Sequence, residues 1–380
     1  MNVVHGYTLL LVFLLGTSII FGPPRLAPDA WLVELIAVVP AGALFLLFVG
    51  LAAAGNGGNL FDMLDKAWGR TIGRMWTLCY IVYFLYIASR NVRDMIELVM
   101  TSILRATPPS VLIFMFVLVI AYAASGGIAA TGRLSVLIAA LVGFFFFALA
   151  LLLVFSGSVD TERLLPFLSE GLAKVLVVPL KSSIWFPYGE LVVFLVFCSS
   201  FGTARTFRRT GWLAMISACL LLTFSDLLQT SVLGMENIVF SIFPLLDAAR
   251  MISIFNFITR LDALVALLII LGVLVKCAVF VHAATIGASR TFGRHRRFAF
   301  SSALLVGAFS ILVTHNNAEH FEEGLKYVIY WLHIPAQLVI PAATLMLLRI
   351  RYRKGEREHE PRRLHDRLEP NRTRRGRADA

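Results

Sequence analysis

Apolar residues run along this chain in long blocks, interrupted at short intervals by glycine, proline and clusters of charge. A bilayer hydrocarbon core of about 30 Å takes about 20 apolar residues wound as a helix. Windows of about 19 residues place ten spans near 5–22, 31–54, 75–104, 110–126, 134–156, 175–200, 211–234, 262–289, 298–314 and 327–349. Residues 59–73 follow another pattern. Leu60, Phe61, Leu64, Trp68 and Ile72 recur at helical spacing, Asp62, Asp65, Lys66 and Arg70 fall elsewhere, and Asn59 stands at an N-cap position. This segment is predicted to lie on the membrane as an interfacial helix. The first span is not a cleavable signal: it lacks a basic leader, ends in Pro23-Pro24 and is followed by further spans.

Composition agrees with the pattern. Of 380 residues, 58% are hydrophobic and 15% charged, against the ~25% charged of soluble domains. A mean hydropathy of +0.81 excludes a disordered chain, a disulfide scaffold and an ordinary soluble enzyme. The net charge of +11 does not point to nucleic acid, because much of it sits at the end. Residues 349–380 hold 12 Lys and Arg against 6 Asp and Glu, which suits anionic lipid beside a membrane span. The chain thus divides into a membrane domain, 1–350, and a basic cytoplasmic tail, 351–380, expected to be disordered. An even number of spans puts both termini on one side. The loops on that side carry eleven basic residues, among them Arg133, Arg205, Arg208 and Arg209, against seven opposite. The positive-inside rule makes the termini cytoplasmic.

Enzymatic and metal chemistry leave no trace. Cys79, Cys198, Cys219 and Cys277 all fall in apolar runs without metal or disulfide spacing and read as buried thiols. No zinc, nucleophile-elbow, phosphate-loop or dinucleotide motif is present. Gly55-Asn56-Gly57-Gly58 follows a span rather than a strand, and His282, His315 and His320 lack metal-like company. No catalysis, cofactor or metal is expected.

Two spans look built to break. In the first, Gly16-Thr17-Ser18 lies mid-membrane, followed by Gly22 and Pro23. In the sixth, Pro179 and then Phe186-Pro187-Tyr188-Gly189-Glu190 interrupt an apolar run. Proline removes an amide and clashes one turn back, while glycine admits unusual dihedrals. One proline kink is common in membrane helices. Breaks at corresponding points of two halves indicate a transporter-type binding site, and spans one and six are the pair expected of two inverted five-helix repeats. A carboxylate within a span needs a partner or a wet cavity. Glu190 could accept a proton, pair with an ammonium, bind freed amides, or cap the second half-helix.

Other charges inside spans are Arg90, Arg93, Asp94, Glu97, Lys181, Asp226 and Lys276. Arg90 with Asp94 and Arg93 with Glu97 stand at the i,i+4 spacing of helix ion pairs. Span three, at about 30 residues or 45 Å, exceeds the core, so this stripe is expected near the outer headgroups. Asp226 and Lys276 lie mid-span in helices seven and eight, and nothing in the sequence says that they meet. Lys276 could serve as a fixed cation in place of a coupling ion, or lose its proton.

Taken in order, several motifs resemble the B subunits of bacterial spore germinant receptors, relatives of the amino acid–polyamine–organocation permeases. These are Leu60–Gly73 with Gly69 and Gly73, Thr107-Pro108, Gly126–Arg133, Leu165-Pro166 with Gly171, the Phe186–Glu190 run, and Pro244, Arg250, Ile252 with Arg260-Leu261-Asp262. The resemblance covers about residues 5–350. It departs at Ile269-Ile270, where members often carry an aromatic residue, and in its long Arg-rich tail. It implies an all-α membrane fold of ten transmembrane helices, in two inverted repeats with helices one and six broken. It also implies an amino acid-type germinant as ligand, A-type and C-type subunits as partners, and the spore inner membrane as location. Carried onto this chain, the ligand site is Gly16, Thr17, Ser18, Phe186, Tyr188, Gly189 and Glu190, with Glu190, Asp226 and Lys276 available for proton or ion coupling. The alternatives to a sensing subunit are a proton-coupled amino acid permease and a ligand-gated ion or water conduit.

Overall fold

The structure, a computed structural model, describes residues 1–21, 29–168, 171–252, 262–293, 298–313, 320 and 323–351. The tail from 352, Gly22-Pro23, Arg260-Leu261 and His315 lie outside the described residues. Helix dominates throughout, and no strand occurs among the described residues. Six helices are long and apolar enough to cross a membrane: Ala30–Ala54, Arg70–Ser102, Ile128–Phe155, Ala204–Ile238, Asp262–Phe292 and Tyr327–Arg351. Four shorter apolar helices stand between them: Val3–Leu15, Pro109–Ser125, Tyr188–Phe201 and Phe298–Leu312. In chain order they give ten helical segments. Segment one is Val3–Leu15 with Ser18–Phe21. Segment six is Leu172–Lys181 with Tyr188–Phe201.

Packing between segments follows a two-fold pattern. Shifting each number by five exchanges the contact of one with seven for two with six, three with nine for four with eight, and one with five for six with ten. The pairs one–six, two–seven, three–eight and four–nine map onto themselves, and all are in contact. This is the contact pattern of two like halves of five helices each. The contact of one with eight is more extensive than that of its counterpart, three with six. Segment eight is the most enclosed of the long helices, 72% of its apolar window being buried, while segment five is the least, at 28%. The first is thus a central post and the second a lipid-facing wall, with Phe144, Phe147 and Phe155 outward.

Both expected breaks are present. Val3–Leu15 ends at Gly16, whose φ of −6° and ψ of −105° leave the helical region. Leu172–Lys181 ends at Ser182, and turns through residues 182–187 lead into the second half. That half, Tyr188–Phe201, is wound as a 3₁₀ helix. A kink divides it at Phe197, whose φ of −110° and ψ of 16° leave the helical region.

The amphipathic segment is shorter and more enclosed than expected. Its helix runs Leu60–Trp68 and stops at Gly69, whose φ of +82° favours glycine. Residues 70–73 begin segment three. Asn59 accepts from the Asp62 amide and Asp62 from the Asn59 amide, a reciprocal capping box. Leu60, Phe61, Met63 and Leu64 are fully buried, so the helix docks on segments three and six instead of resting on lipid. The thiols need a smaller correction: Cys79 is exposed, while the other three are buried as expected.

Arg290 of segment eight holds this helix from outside. Its guanidinium contacts the Asp62 carboxylate and lies 2.8 Å from that of Asp65. Partial burial pushes the Asp62 carboxyl up. Hydrogen bonds from Arg290 and the Asn59 amide, with the charges of Arg290 and Lys66, outweigh this and hold it below its ordinary value. A carboxyl held low contributes stability above its unfolded-state value and loses it as pH falls through its folded one. Arg290→Gln is expected to lower the unfolding temperature of the solubilised protein at neutral pH. The gap to wild type should close as pH falls below the ordinary carboxylate range; a gap indifferent to pH would remove this role.

Candidate ligand-binding site

The two breaks face each other across segment eight, and the meeting point is an ion pair. Lys276 Nζ lies 2.6 Å from Glu190 Oε2, with the side chains 0% and 1% exposed. Segment eight sets the lysine mid-membrane, and the break in segment six lets the second half-helix present Glu190 in its first turn. Of the options open to this carboxylate, pairing with an ammonium is realised. Lys276 also donates to Thr17 Oγ1 at 3.1 Å; Thr17 donates to Asn91 Oδ1 at 2.8 Å, and Asn91 to the Ile87 carbonyl at 2.7 Å. Every hydrogen in this chain has one direction, from segment eight through one to three. Aromatic faces complete the surroundings, with the Lys276 nitrogen 4.4 Å from the Phe186 centroid and 5.4 Å from that of Phe13.

Small residues make this approach possible. A Cβ on Gly16 would come within 2.9 Å of Lys276 Cδ, and one on Gly272 within 3.5 Å of the Gly16 backbone. Beyond that contact lies an apolar cavity of about 30 Å³ lined by Val12, Leu15, Phe146, Ile269 and their neighbours. It has room for a water-sized group only. The interior around the ion pair is closed.

The remaining expected residues take other places. Ser18 is buried, and its hydroxyl makes no hydrogen bond. Gly189 faces segment ten, where a Cβ would overlap the Gln337 amide. Tyr188 faces segment two and donates to Glu34 Oε2 at 3.4 Å. Asp226 does not meet Lys276. It is buried on segment seven, and one carboxylate oxygen makes no hydrogen bond. Lys181 is exposed at the end of the first half-helix.

Several polar residues here were missed from sequence. Glu34 is a carboxylate inside an apolar run, the signal already used for Glu190. His333 and Gln337 stand one turn apart on segment ten. Gln337 donates to Tyr83 Oη at 2.8 Å, and Tyr83 Oη lies 2.9 Å from His333 Nδ1. The charged stripe of segment three also pairs differently. Arg90 lies 3.1 Å from Glu323, and Asp94 lies 2.8 Å from His320, so both reach residues ahead of segment ten instead of along their own helix. Arg93 and Glu97 form no pair, and Arg93 Nε has no hydrogen-bond partner. His320 is a buried partner of Asp94, and His282 stacks on Phe197 at 5.4 Å.

Comparison with known proteins places this geometry. The family model for spore germination proteins matches residues 1–320. The chain belongs to that family. It is 28% identical over 338 residues to spore germination protein KB of Bacillus subtilis (strain 168), covering 88% of this chain and 91% of the relative. It is also 22% identical to spore germination protein YndE of the same organism, over 70% of this chain and 72% of that one. To spore germination protein A2 it is 28% identical over about half of either chain. Among solved structures, the inward-facing conformation of Mhp1 matches with a TM-score of 0.52 at 11% identity, over 91% of this chain and 74% of the other. That likeness shows a shared transporter-type fold.

Removing one partner of a buried ion pair leaves the other charge stranded, at a cost of about 3–5 kcal/mol, whereas removing both costs far less. Glu190→Gln and Lys276→Met are each expected to lower thermal stability strongly, and the double variant to recover most of the loss. Additive losses in that double-mutant cycle would show that the two side chains do not act as a pair.

Proposed function

We propose that this chain is the ligand-sensing, B-type subunit of a spore germinant receptor, with ten membrane crossings and an amino acid bound between the two broken helices. One observation carries the reading: in a member of the spore germination family, both helix breaks converge on a buried, charged and hydrogen-bonded centre. A continuous helix needs no such interruption, and an interruption within the bilayer is tolerated only where protein or a cavity satisfies the backbone. The ligand's charged groups would be read by Glu190, Lys276 and Thr17, with Phe186 against its ammonium. Gly16 and Gly189 allow the backbones to approach, and Ser18 and Tyr188 flank the centre. Binding would favour one arrangement of the bundle over another by differential affinity.

The four shorter apolar helices complete the ten crossings, and the excess of basic residues in one set of loops supports cytoplasmic termini. The spore inner membrane, and A-type and C-type partners that receive the signal, follow from the family reading. Relatives named A2 and KB support a place in a multi-subunit receptor.

A second reading, the proton-coupled permease, is favoured by one feature. Glu34 and Asp226 are both buried inside spans, and among the described residues neither is ion-paired. Such carboxylates are the material of proton relays. It predicts uptake of labelled amino acid into proteoliposomes under a pH gradient, lost in Asp226→Asn. Binding without uptake would favour the sensor.

Gly16→Val places branched carbon against Lys276. It is expected to weaken the amino-acid germination response about tenfold or more in spores, with normal receptor abundance by immunoblot. A wild-type response in that strain would remove the centre from ligand recognition.

A further inference from the structure

The cage around Lys276 is already an ammonium site, and it is already filled. An amine nitrogen sits 2.6 Å from a buried carboxylate, 3.1 Å from a threonine hydroxyl and 4.4 Å from the centre of an aromatic face. Both charges are sealed from solvent, and Gly16 lies against the lysine stem. The nearby cavity is too small for a ligand. A ligand ammonium can therefore use Glu190 only after Lys276 leaves it.

We propose that Lys276 is an internal stand-in for the ligand, and that recognition is an ion exchange which only a zwitterion can complete. The incoming ammonium takes the Glu190–Thr17–Phe186 cage, and the displaced Lys276 ammonium pairs with the incoming carboxylate. This deepens the sensing function proposed above and rests on it.

The charge balance makes the exchange selective. An amine without a carboxylate would satisfy Glu190 but strand Lys276 in a dry interior. A carboxylic acid without an amine would have to draw Lys276 away and strand Glu190. An uncharged sugar gives neither group a partner. Each of these leaves a buried charge unpaired, which membrane interiors and protein cores both penalise. A zwitterion carries both charges a few bonds apart and leaves none unpaired. The exchange also moves the lysine, which lies against segment one and donates to Thr17. Ligand chemistry would thereby reach the break in segment one.

The test is a binding panel on the purified full-length protein, read by thermal shift and calorimetry. L-Alanine is compared with ethylamine and propionate, L-valine with isobutylamine and isovalerate, and so on through the twenty amino acids. For each amino acid that binds wild type, the amine and acid counterparts are expected to bind at least about a hundredfold more weakly. Lys276→Met should convert preference toward the amine, since Glu190 is then open and no lysine needs a new partner. Glu190→Gln should convert preference toward the acid. A lysine that only holds helices together would change stability without changing which class of ligand binds.

If an amino acid binds wild type but its amine binds equally well, the exchange is overturned and the sensing function stands. The same holds if Lys276→Met folds yet keeps wild-type preference. If no amino acid binds, both fail together. The wild-type panel alone decides the matter should either variant not fold.

Discussion

Two opposite charges 2.6 Å apart in the centre of a membrane protein constrain everything around them. Either charge alone would be expelled or neutralised; together, with the hydrogen bond from Lys276 to Thr17, they are tolerated. The pair requires segment eight to face segment six, and it requires segment six to break, since the break lets the second half-helix present Glu190 in its first turn. It requires segment one to come close enough for Thr17 to accept from the lysine, hence Gly16 against the lysine stem and Gly272 against the Gly16 backbone. Segment eight is correspondingly the most enclosed long helix, and its contact with segment one is more extensive than the counterpart contact of segments three and six.

Three consecutive residues then distribute the influence of segment six. Tyr188 donates to Glu34 on segment two, Gly189 abuts Gln337 on segment ten, and Glu190 pairs with Lys276 on segment eight. A rotation or shift of this half-helix cannot disturb one of these contacts and leave the others intact. Packed interiors respond to such a shift by moving between discrete arrangements rather than by graded deformation. Links from segment three to residues ahead of segment ten, Arg90 to Glu323 and Asp94 to His320, add polar contacts between those two parts of the chain.

How far this was legible in the sequence depended on the kind of signal. Apolar block length gave most helix ends to within three residues, but segments three, five and seven begin five to seven residues earlier than expected. Glycine and proline gave both breaks, because backbone chemistry is local. The union of Lys276 with Glu190 was not legible, since the two stand 86 positions apart and only packing brings them together. Arg90 and Asp94 misled for a related reason. Their spacing suited a pair along one helix, yet each pairs with a residue ahead of segment ten. Glu34 obeyed the rule applied to Glu190 and went unnoticed beside a more conspicuous motif. The amphipathic helix was found, but its apolar face proved to be covered by protein, which periodicity cannot distinguish from lipid.

The same ion pair bears on how a receptor of this family can stay silent. A site built from an uncompensated carboxylate would attract any cation able to reach it, and its resting state would be held only weakly. Here the charges are balanced: the Lys276 ammonium lies against Glu190, Thr17 and the Phe186 face. At the ligand site proposed above, a ligand would replace interactions instead of filling a vacancy, and only the difference between the two sets would be available to shift the bundle. That makes the closed arrangement the stable one without ligand and ties the response to the match between ligand charges and the residues they displace. For a protein that must remain inactive until one kind of molecule appears, a satisfied interior is a more secure resting state than an open one.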